Sequence, residues 1–300
     1  MNIGSQGSSA PESPGPSRAV PGDPGGRASV ILAAYGRPDI LALALAAFVR
    51  QTVKDFEIVV ADDGSPEDYG ATLLSFAPRF AHPIQHVRQD DRGFRKTRIL
   101  NRAIAVARFP VLVFADFDCL PHSRFVEDHL AHVAPGTVVS GRRVHVERRA
   151  LPSVDAILKR GVRLGPLRLL RLLLKGDARV IEHGLSLPVL FEASQTAIFG
   201  SNFSAAKADL VLVNGFNEQY EAPGTGEDTD LDLRLKRSGV RVRVYRNRMI
   251  QYHVAHASPR YDIPANMAIF ERTQALGFTR SPAGLSEIRE GDAEHRVYAP

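Results

Sequence analysis

A rhythm in the chain constrains its fold most. From residue 28 to about residue 132, short continuous apolar runs alternate with segments of helical period. Ser29-Val30-Ile31-Leu32-Ala33-Ala34 reads as a buried strand, and residues 38–50 as a helix with Pro38 in its first turn. Residues 56–61 form a second strand, stopped by Asp62-Asp63-Gly64-Ser65. A helix follows from about Glu67, then a weaker strand at 84–87. Residues 95–108 carry Ile99, Leu100, Ala103, Ile104 and Ala107 at helical spacing. Val111-Leu112-Val113-Phe114-Ala115 is the most apolar strand and ends in Asp116-Phe117-Asp118. Strands that are apolar throughout are covered on both faces, so this alternation predicts an α/β domain with a parallel, doubly wound sheet. Such sheets bind ligands beyond the carboxyl ends of their strands, where two of these strands place aspartates.

Composition narrows the function classes. The chain has 300 residues, 44% of them apolar, and a formal net charge of +5. One cysteine, Cys119, excludes an intramolecular disulfide and with it a disulfide-stapled scaffold; a reducing, cytoplasmic setting is expected. The longest apolar run, residues 40–49, is ten residues, about half of a bilayer span, and the amino terminus has no leader pattern. The positive charge points to an anionic partner: a phosphorylated ligand, nucleic acid or an acidic membrane. Nucleic acid is disfavoured, because no interleaved aromatics or recognisable module accompany the basic residues.

Residues 1–27, with six Gly, five Pro and five Ser, read as a disordered tail. Beyond residue 140 the rhythm breaks. Residues 159–175 mix leucines with Lys159, Arg160, Arg163, Arg168, Arg171 and Lys175; both a helix lying on the domain and a peripheral contact with anionic membrane fit this stretch. A strand is expected at 196–199, leading to Gly200-Ser201-Asn202-Phe203. A short helix at 207–213, a helix at 231–237 and a strand at 240–244 follow. The expected organisation is one domain over 28–260, with a nucleotide-binding half at 28–135, a basic insert at 150–190 and a catalytic half at 190–260. Residues 261–300 form an extension.

Five motifs carry chemistry. In Asp116-Phe117-Asp118, side chains two apart on a strand share a face and can address one divalent cation, although a polar turn closing a strand fits too. Asp62-Asp63-Gly64-Ser65 is either an Asx-capped turn or a carboxylate placed to accept an imide N–H. Gly226-Glu227-Asp228-Thr229-Asp230 puts acids in a helix first turn, where the dipole favours them, and an ionised carboxylate there can take a proton from a hydroxyl. His253 and His256 can face one ion or can be structural. Gly93-Phe94-Arg95-Lys96-Thr97-Arg98 is a basic helix start able to receive a phosphate, or simply a solvated face.

In this order the motifs resemble the family 2 glycosyltransferases with the GT-A fold, a mostly parallel Rossmann-like sheet flanked by helices. The resemblance is to the chondroitin-polymerase-type subgroup with a galactosyltransferase-like carboxyl half, over about residues 29–258. It implies that Asp63 contacts uracil, that Tyr35 and Arg37 line the nucleotide pocket, and that Arg95 and Arg98 approach the base or diphosphate. It further implies a metal site, for Mn²⁺ or Mg²⁺, made by Asp118 and His256, with Asp116 and His253 nearby and Asp116 also close to the ribose. Asn202 matches the residue facing the donor sugar, Asp228 the base and Glu227 a ligand of the acceptor hydroxyl. Ala33-Ala34-Tyr35-Gly36 departs from the usual Pro-Thr-Tyr-Asn, and Ala222-Pro223-Gly224-Thr225 stands where an aromatic and paired glycines are common.

The implied activity is an inverting, metal-dependent transfer from a nucleotide sugar, UDP-linked, to a hydroxyl of a glycan or lipid-linked acceptor. Surface polysaccharide or glycolipid synthesis at the inner face of the membrane is the expected setting. Two alternatives stand beside it. A sugar nucleotidyltransferase would need a Gly-rich basic loop, whereas residues 29–37 hold one Gly and no Lys. A non-catalytic, membrane-associated interaction protein would be built around residues 167–175.

Overall fold

The computed structural model describes residues 26–154, 164–186, 190–194, 197–224, 226–256 and 263–300. The first half runs β1 (Ala28–Ala34), α1 (Pro38–Val49), β2 (Phe56–Asp62), α2 (Gly70–Phe76), β3 (Ile84–Arg88), α3 (Lys96–Val106) and β4 (Val111–Asp116). Next come β5 (Cys119–Pro121), α4 (Phe125–His132), β6 (Thr137–Ser140), β7 (Arg143–Val146), α5 (Pro166–Leu174) and β8 (Ala178–Arg179). The chain continues with β9 (Asn202–Ala206), α6 (Lys207–Leu212), α7 (Glu227–Arg237), β10 (Arg241–Val244), β11 (Gln251–Val254), α8 (Ile263–Ala275) and β12 (Glu294–Tyr298).

Eight of the strands form one sheet in the order β10-β6-β9-β4-β1-β2-β3-β12. β4, β1, β2 and β3 are mutually parallel, as the alternation predicts, and β6 is parallel to β10. The whole sheet is mixed, because β9 runs antiparallel to both β4 and β6, and β12 antiparallel to β3. The direction of β9 has a simple cause: it starts at Asn202, opposite Ala115 at the carboxyl end of β4, so it can only run back.

Alternate residues of the central strands serve two cores. Val30, Leu32, Ile58 and Val60 pack with α1, while Ile31, Ala33, Val59 and Phe114 pack with α3, α6 and α7. Two-sided burial therefore explains the continuous apolar runs, each fully buried large side chain contributing roughly 1.5–3 kcal/mol. A second sheet, β5-β11-β7-β8, lies at the carboxyl end. Its Leu120, Val144, Val146, Tyr252 and Val254 join the first core, which leaves His145 and His253, paired in register, on the opposite face.

Two local expectations are corrected. The strand expected at 196–199 is instead Asn202–Ala206, since Ile198 and Phe199 lie outside any strand. There the Phe199 N–H donates to Ser140 Oγ and the Gly200 N–H to Asp228, so ladder pairing starts only where β4 and β6 offer partners. The helix expected from 231 starts at Glu227, because Gly226, at φ 134°, makes the turn and Glu227, Asp228 and Asp230 fill the first turn. The expected tail (all but residues 26 and 27), residues 155–163 of the basic segment, and Thr196 and Thr225 lie outside the described residues. The last forty residues of the sequence supply α8 and the edge strand β12.

Candidate active site

β4 delivers Asp116 to the carboxyl edge of the sheet, and one residue of turn separates it from Asp118. β5 then pairs with β11, setting His253 opposite Cys119, while the Val254 N–H donates to the Asp118 carbonyl. Asp118 Oδ2 consequently lies 3.4 Å from His253 Nε2 and 3.0 Å from His256 Nε2. Burial by itself would raise the Asp118 carboxyl, but hydrogen bonds from the two imidazoles outweigh it and hold the group well below the usual carboxylate range. One ligand atom from each of these three side chains fits within 4.8 Å of the others. One carboxylate oxygen with two imidazole nitrogens is a mixed donor set that suits a borderline cation such as Mn²⁺ better than Mg²⁺, and it leaves coordination positions for a ligand. His145 stands edge-on to His253 with ring centroids 5.3 Å apart, and burial followed by Arg143 pushes it down to about 4, so it is neutral at pH 7.

Asp116 is not in that group. Its Oδ1 lies 2.5 Å from Nζ of Lys96, the first residue of α3. Burial works to lower the Lys96 ammonium, but Asp116 overcomes it, and Glu227 and Asp118 raise the group further. Lys96 therefore stays charged among three carboxylates. It electrostatically links the cluster of Asp118, His253 and His256 to the acids of α7.

On α7, Asp228 Oδ2 accepts the Gly200 N–H at 3.1 Å. Gly200 is packed so that a Cβ there would meet the Asp228 side chain at 3.4 Å. The adjacent Glu227 is pushed up to about 7, first by burial and then by Asp228, with Lys96 opposing, and its Oε2 is buried without a hydrogen-bond partner. The two carboxylates thus differ in environment although they are neighbours in sequence.

The nucleotide-side candidates gather around residues 89–95. Asp63 accepts the Arg95 backbone N–H at 2.9 Å and the Gln89 side-chain amide at 2.5 Å; burial raises its carboxyl despite both bonds. Gly64, at φ 84°, lets that loop close, since a Cβ would sit 2.5 Å from the Asp91 nitrogen. Tyr35, half exposed, donates its hydroxyl to Asp91 Oδ2 at 3.1 Å. The Arg95 guanidinium donates to the Asp90 carbonyl. A cavity of about 260 Å³ opens beside it, lined by Arg88, Arg92, Arg95 and Arg98 and by Gly291 to Glu294 ahead of and within β12.

Arg37, Arg98 and Asn202 have the following partners. Arg37, at φ 52°, forms a bidentate pair with Asp39 at 2.9 and 2.7 Å. Arg98 is 3.8 Å from Glu218 and 3.5 Å from Asp292. Asn202 is fully buried and donates its amide to the carbonyls of Arg142 and Met249, at 2.9 and 2.7 Å. Lys96 was visible in sequence only as one of several cations at a helix start. No spacing rule could have paired His145 with His253 across two strands.

Residues 29–176 match a family model described as glycosyl transferase family 2, and residues 188–257 one described as the N-terminal domain of galactosyltransferase. The junction falls between the half carrying Asp63 and Asp118 and the half carrying Asp228 and His256. The chain belongs to glycosyltransferase family 2. This family 2 chain is 30% identical over 237 residues to validoxylamine A glucosyltransferase of Streptomyces hygroscopicus subsp. jinggangensis, covering 73% of this chain and 53% of the relative. It is 26% identical to chondroitin synthase of Escherichia coli, covering 70% of this chain and 32% of the relative. The chain spans about half the length of the first of these relatives and a third of the second. Among solved structures, GalNAc-T7 with UDP, GalNAc and Mn²⁺ superposes with a TM-score of 0.57 at 12% identity, over 82% of this chain and 48% of that one. A Pyrobaculum calidifontis mannosyltransferase with GDP-Man and Mn²⁺ gives 0.50 at 19% identity, over 88% and 66%. The fold is GT-A, with a mixed central sheet flanked by helices.

Proposed function

We propose that the protein transfers a sugar from a UDP-linked donor to a hydroxyl of a glycan or lipid-linked acceptor, with inversion at the anomeric carbon and with a divalent cation. The observation that carries this is the convergence of Asp118, His253 and His256 with Lys96, Asp116 and the α7 acids at the carboxyl edge of the sheet. Asp118, His253 and His256 would hold the cation, which when bound supplies positive charge to a departing diphosphate. Mn²⁺ is favoured by the two imidazoles; relatives of this fold are known with it.

Each residue has work suited to its surroundings. Asp63 orients the base from the carboxyl end of β2, with Tyr35 and Arg95 around it; the cavity beside Arg95 mixes arginines with Asp90, Asp292 and Glu294. Asp228, held by the Gly200 N–H, takes the proton from the acceptor hydroxyl, whose oxygen bonds to the anomeric carbon as the bond to the β-phosphate oxygen breaks. Glu227, half protonated near pH 7, can both donate to and accept from the acceptor's hydroxyls. Lys96 offsets the negative charge gathered on Asp116, Glu227 and the leaving group. No second carboxylate motif stands out for a covalent intermediate, so a single displacement is proposed. The setting proposed is the cytoplasm, at the inner face of the membrane, in surface polysaccharide or glycolipid synthesis.

The test is donor turnover across a panel of UDP- and GDP-sugars with Mn²⁺ and with Mg²⁺, beside Asp118→Ala and Asp228→Asn. Turnover of one UDP-sugar that both variants lose supports the proposal. Variants as active as the parent overturn the site.

A further inference from the structure

α5 buries only Leu169 and Leu172 of its nine residues, and its side chains sort into three parallel stripes. Leu169 and Leu172 point into the core. Leu167, Leu170 and Leu174, at i, i+3 and i+7, form a second stripe on one face. All three are exposed, by 75%, 45% and 77%, and Leu173 beside them is also exposed. Arg168, Arg171 and Lys175 repeat the same spacing one residue on, a basic stripe along the leucine stripe. The helix contains no acid. Past its end the arginines are paired: Arg149 donates to the Lys175 and Gly176 carbonyls and pairs with Asp177 at 2.7 Å, and Arg179 on β8 pairs with Glu147 at 3.3 Å, so the unbalanced charge is that of α5 and Lys175.

A water-facing helix gains nothing from four exposed leucines, so the stripe is a contact surface. Charge decides the occupant. A second copy of the chain would bring the same cations against these. A bilayer containing anionic lipid takes both stripes at once, the leucines among acyl chains and the guanidinium and ammonium groups among headgroup phosphates. Gly184 lies against both Leu169 and Val144, seating α5 over the Val144 face of β7, the face opposite His145 and His253. We infer that α5 docks the protein flat on an anionic bilayer, with the small sheet between the lipid and the site's histidines. This rests on the proposed lipid-linked acceptor for its purpose, though not for its physics.

Vesicle sedimentation tests it on the full chain, without using turnover as the readout. With equal parts phosphatidylglycerol and phosphatidylcholine, the parent is expected to bind at least about tenfold better than with phosphatidylcholine alone, and 0.5 M NaCl should release it. Arg168→Glu with Arg171→Glu, and separately Leu167→Ser with Leu174→Ser, should each lose roughly tenfold or more of that binding. Both pairs are exposed, so unchanged melting temperature and unchanged transfer to a water-soluble acceptor should accompany the loss. Equal binding to the two vesicle types, no binding by the parent, or variants that bind like the parent would each overturn the inference. So would a dimer of the parent in solution that the leucine variant abolishes. Loss of transfer with docking intact would strike the catalytic proposal alone.

Discussion

Lys96 Nζ and Asp116 Oδ1 lie 2.5 Å apart, and that pair joins two parts of the chain that the sequence keeps separate. Lys96 opens α3, Asp116 closes β4, and the electrostatic reach of the pair extends to Asp118 on one side and Glu227 on the other. Lys96→Met removes the cation while keeping most of the side chain's bulk. Transfer is expected to fall by about 10²-fold, the scale of losing one charge-stabilising donor in an active site. Initial rates at saturating donor measure it, and a loss under threefold would reduce the pair to a structural contact.

Glu227 sets a pH dependence of stability. Its folded-state carboxyl is pushed up to about 7, so the folded protein holds a proton that the unfolded chain has released. The contribution to stability is complete below the unfolded value, near 4.3, and is lost as pH rises through 7. Between pH 6 and 8 the parent should lose about 1 kcal/mol relative to Glu227→Gln. Urea unfolding of both proteins at the two pH values, with chelator present, reads this difference directly. Parallel curves would place Glu227 in a more solvated setting.

Asp118, His253 and His256 are expected to bind Mn²⁺ with a thermal signature. At a hundredfold excess over the dissociation constant, a ligand specific to the folded state adds about 2.7 kcal/mol. The melting temperature of the parent should rise with Mn²⁺, and neither Asp118→Ala nor His256→Ala should respond. Equal responses from all three proteins would put the ion elsewhere.

Asp228→Asn keeps the size and the bond from Gly200 but removes the basic oxygen. Transfer should drop by roughly 10²–10⁴-fold while the donor's dissociation constant changes little. Isothermal titration with the UDP-sugar and a rate assay separate the two. NMR of the parent's product should show the anomeric configuration opposite to the donor's.

Arg102 holds the last strand to the site. With 4% of its side chain exposed, it pairs with Glu218 and, at 2.9 Å, with Asp292 just before β12. Arg102→Ala leaves Glu218 and Asp292 with only the more distant Arg98 and should cost about 2 kcal/mol in chemical unfolding. Arg296→Ala, on the exposed rim of β12, should cost under about 1 kcal/mol.

The α/β class was legible because two-sided burial writes itself as apolar runs: β1, β2 and β4 fall within a residue or two of where periodicity puts them. Helix starts were less legible. Glu227 to Asp230 read both as an acid-rich turn ahead of a helix at 231 and as that helix's first turn, and Gly226, by turning the chain, selects the second. Asn202 illustrates a different gap, since nothing local says that its amide will be spent on the carbonyls of Arg142 and Met249.

By itself, the sequence determined the strands that end in Asp62 and Asp116, the acids of α7 and the two histidines, because side-chain type and local period are properties of neighbours along the chain. Only the tertiary structure decided that β9 runs backward, that His253 joins His256 on Asp118 with His145 behind it, and that Lys96 takes Asp116. Those outcomes depend on strand register and on competition between charges brought together from separate parts of the chain. Burial and opposite charge act through space, and chain order carries no record of who will face whom.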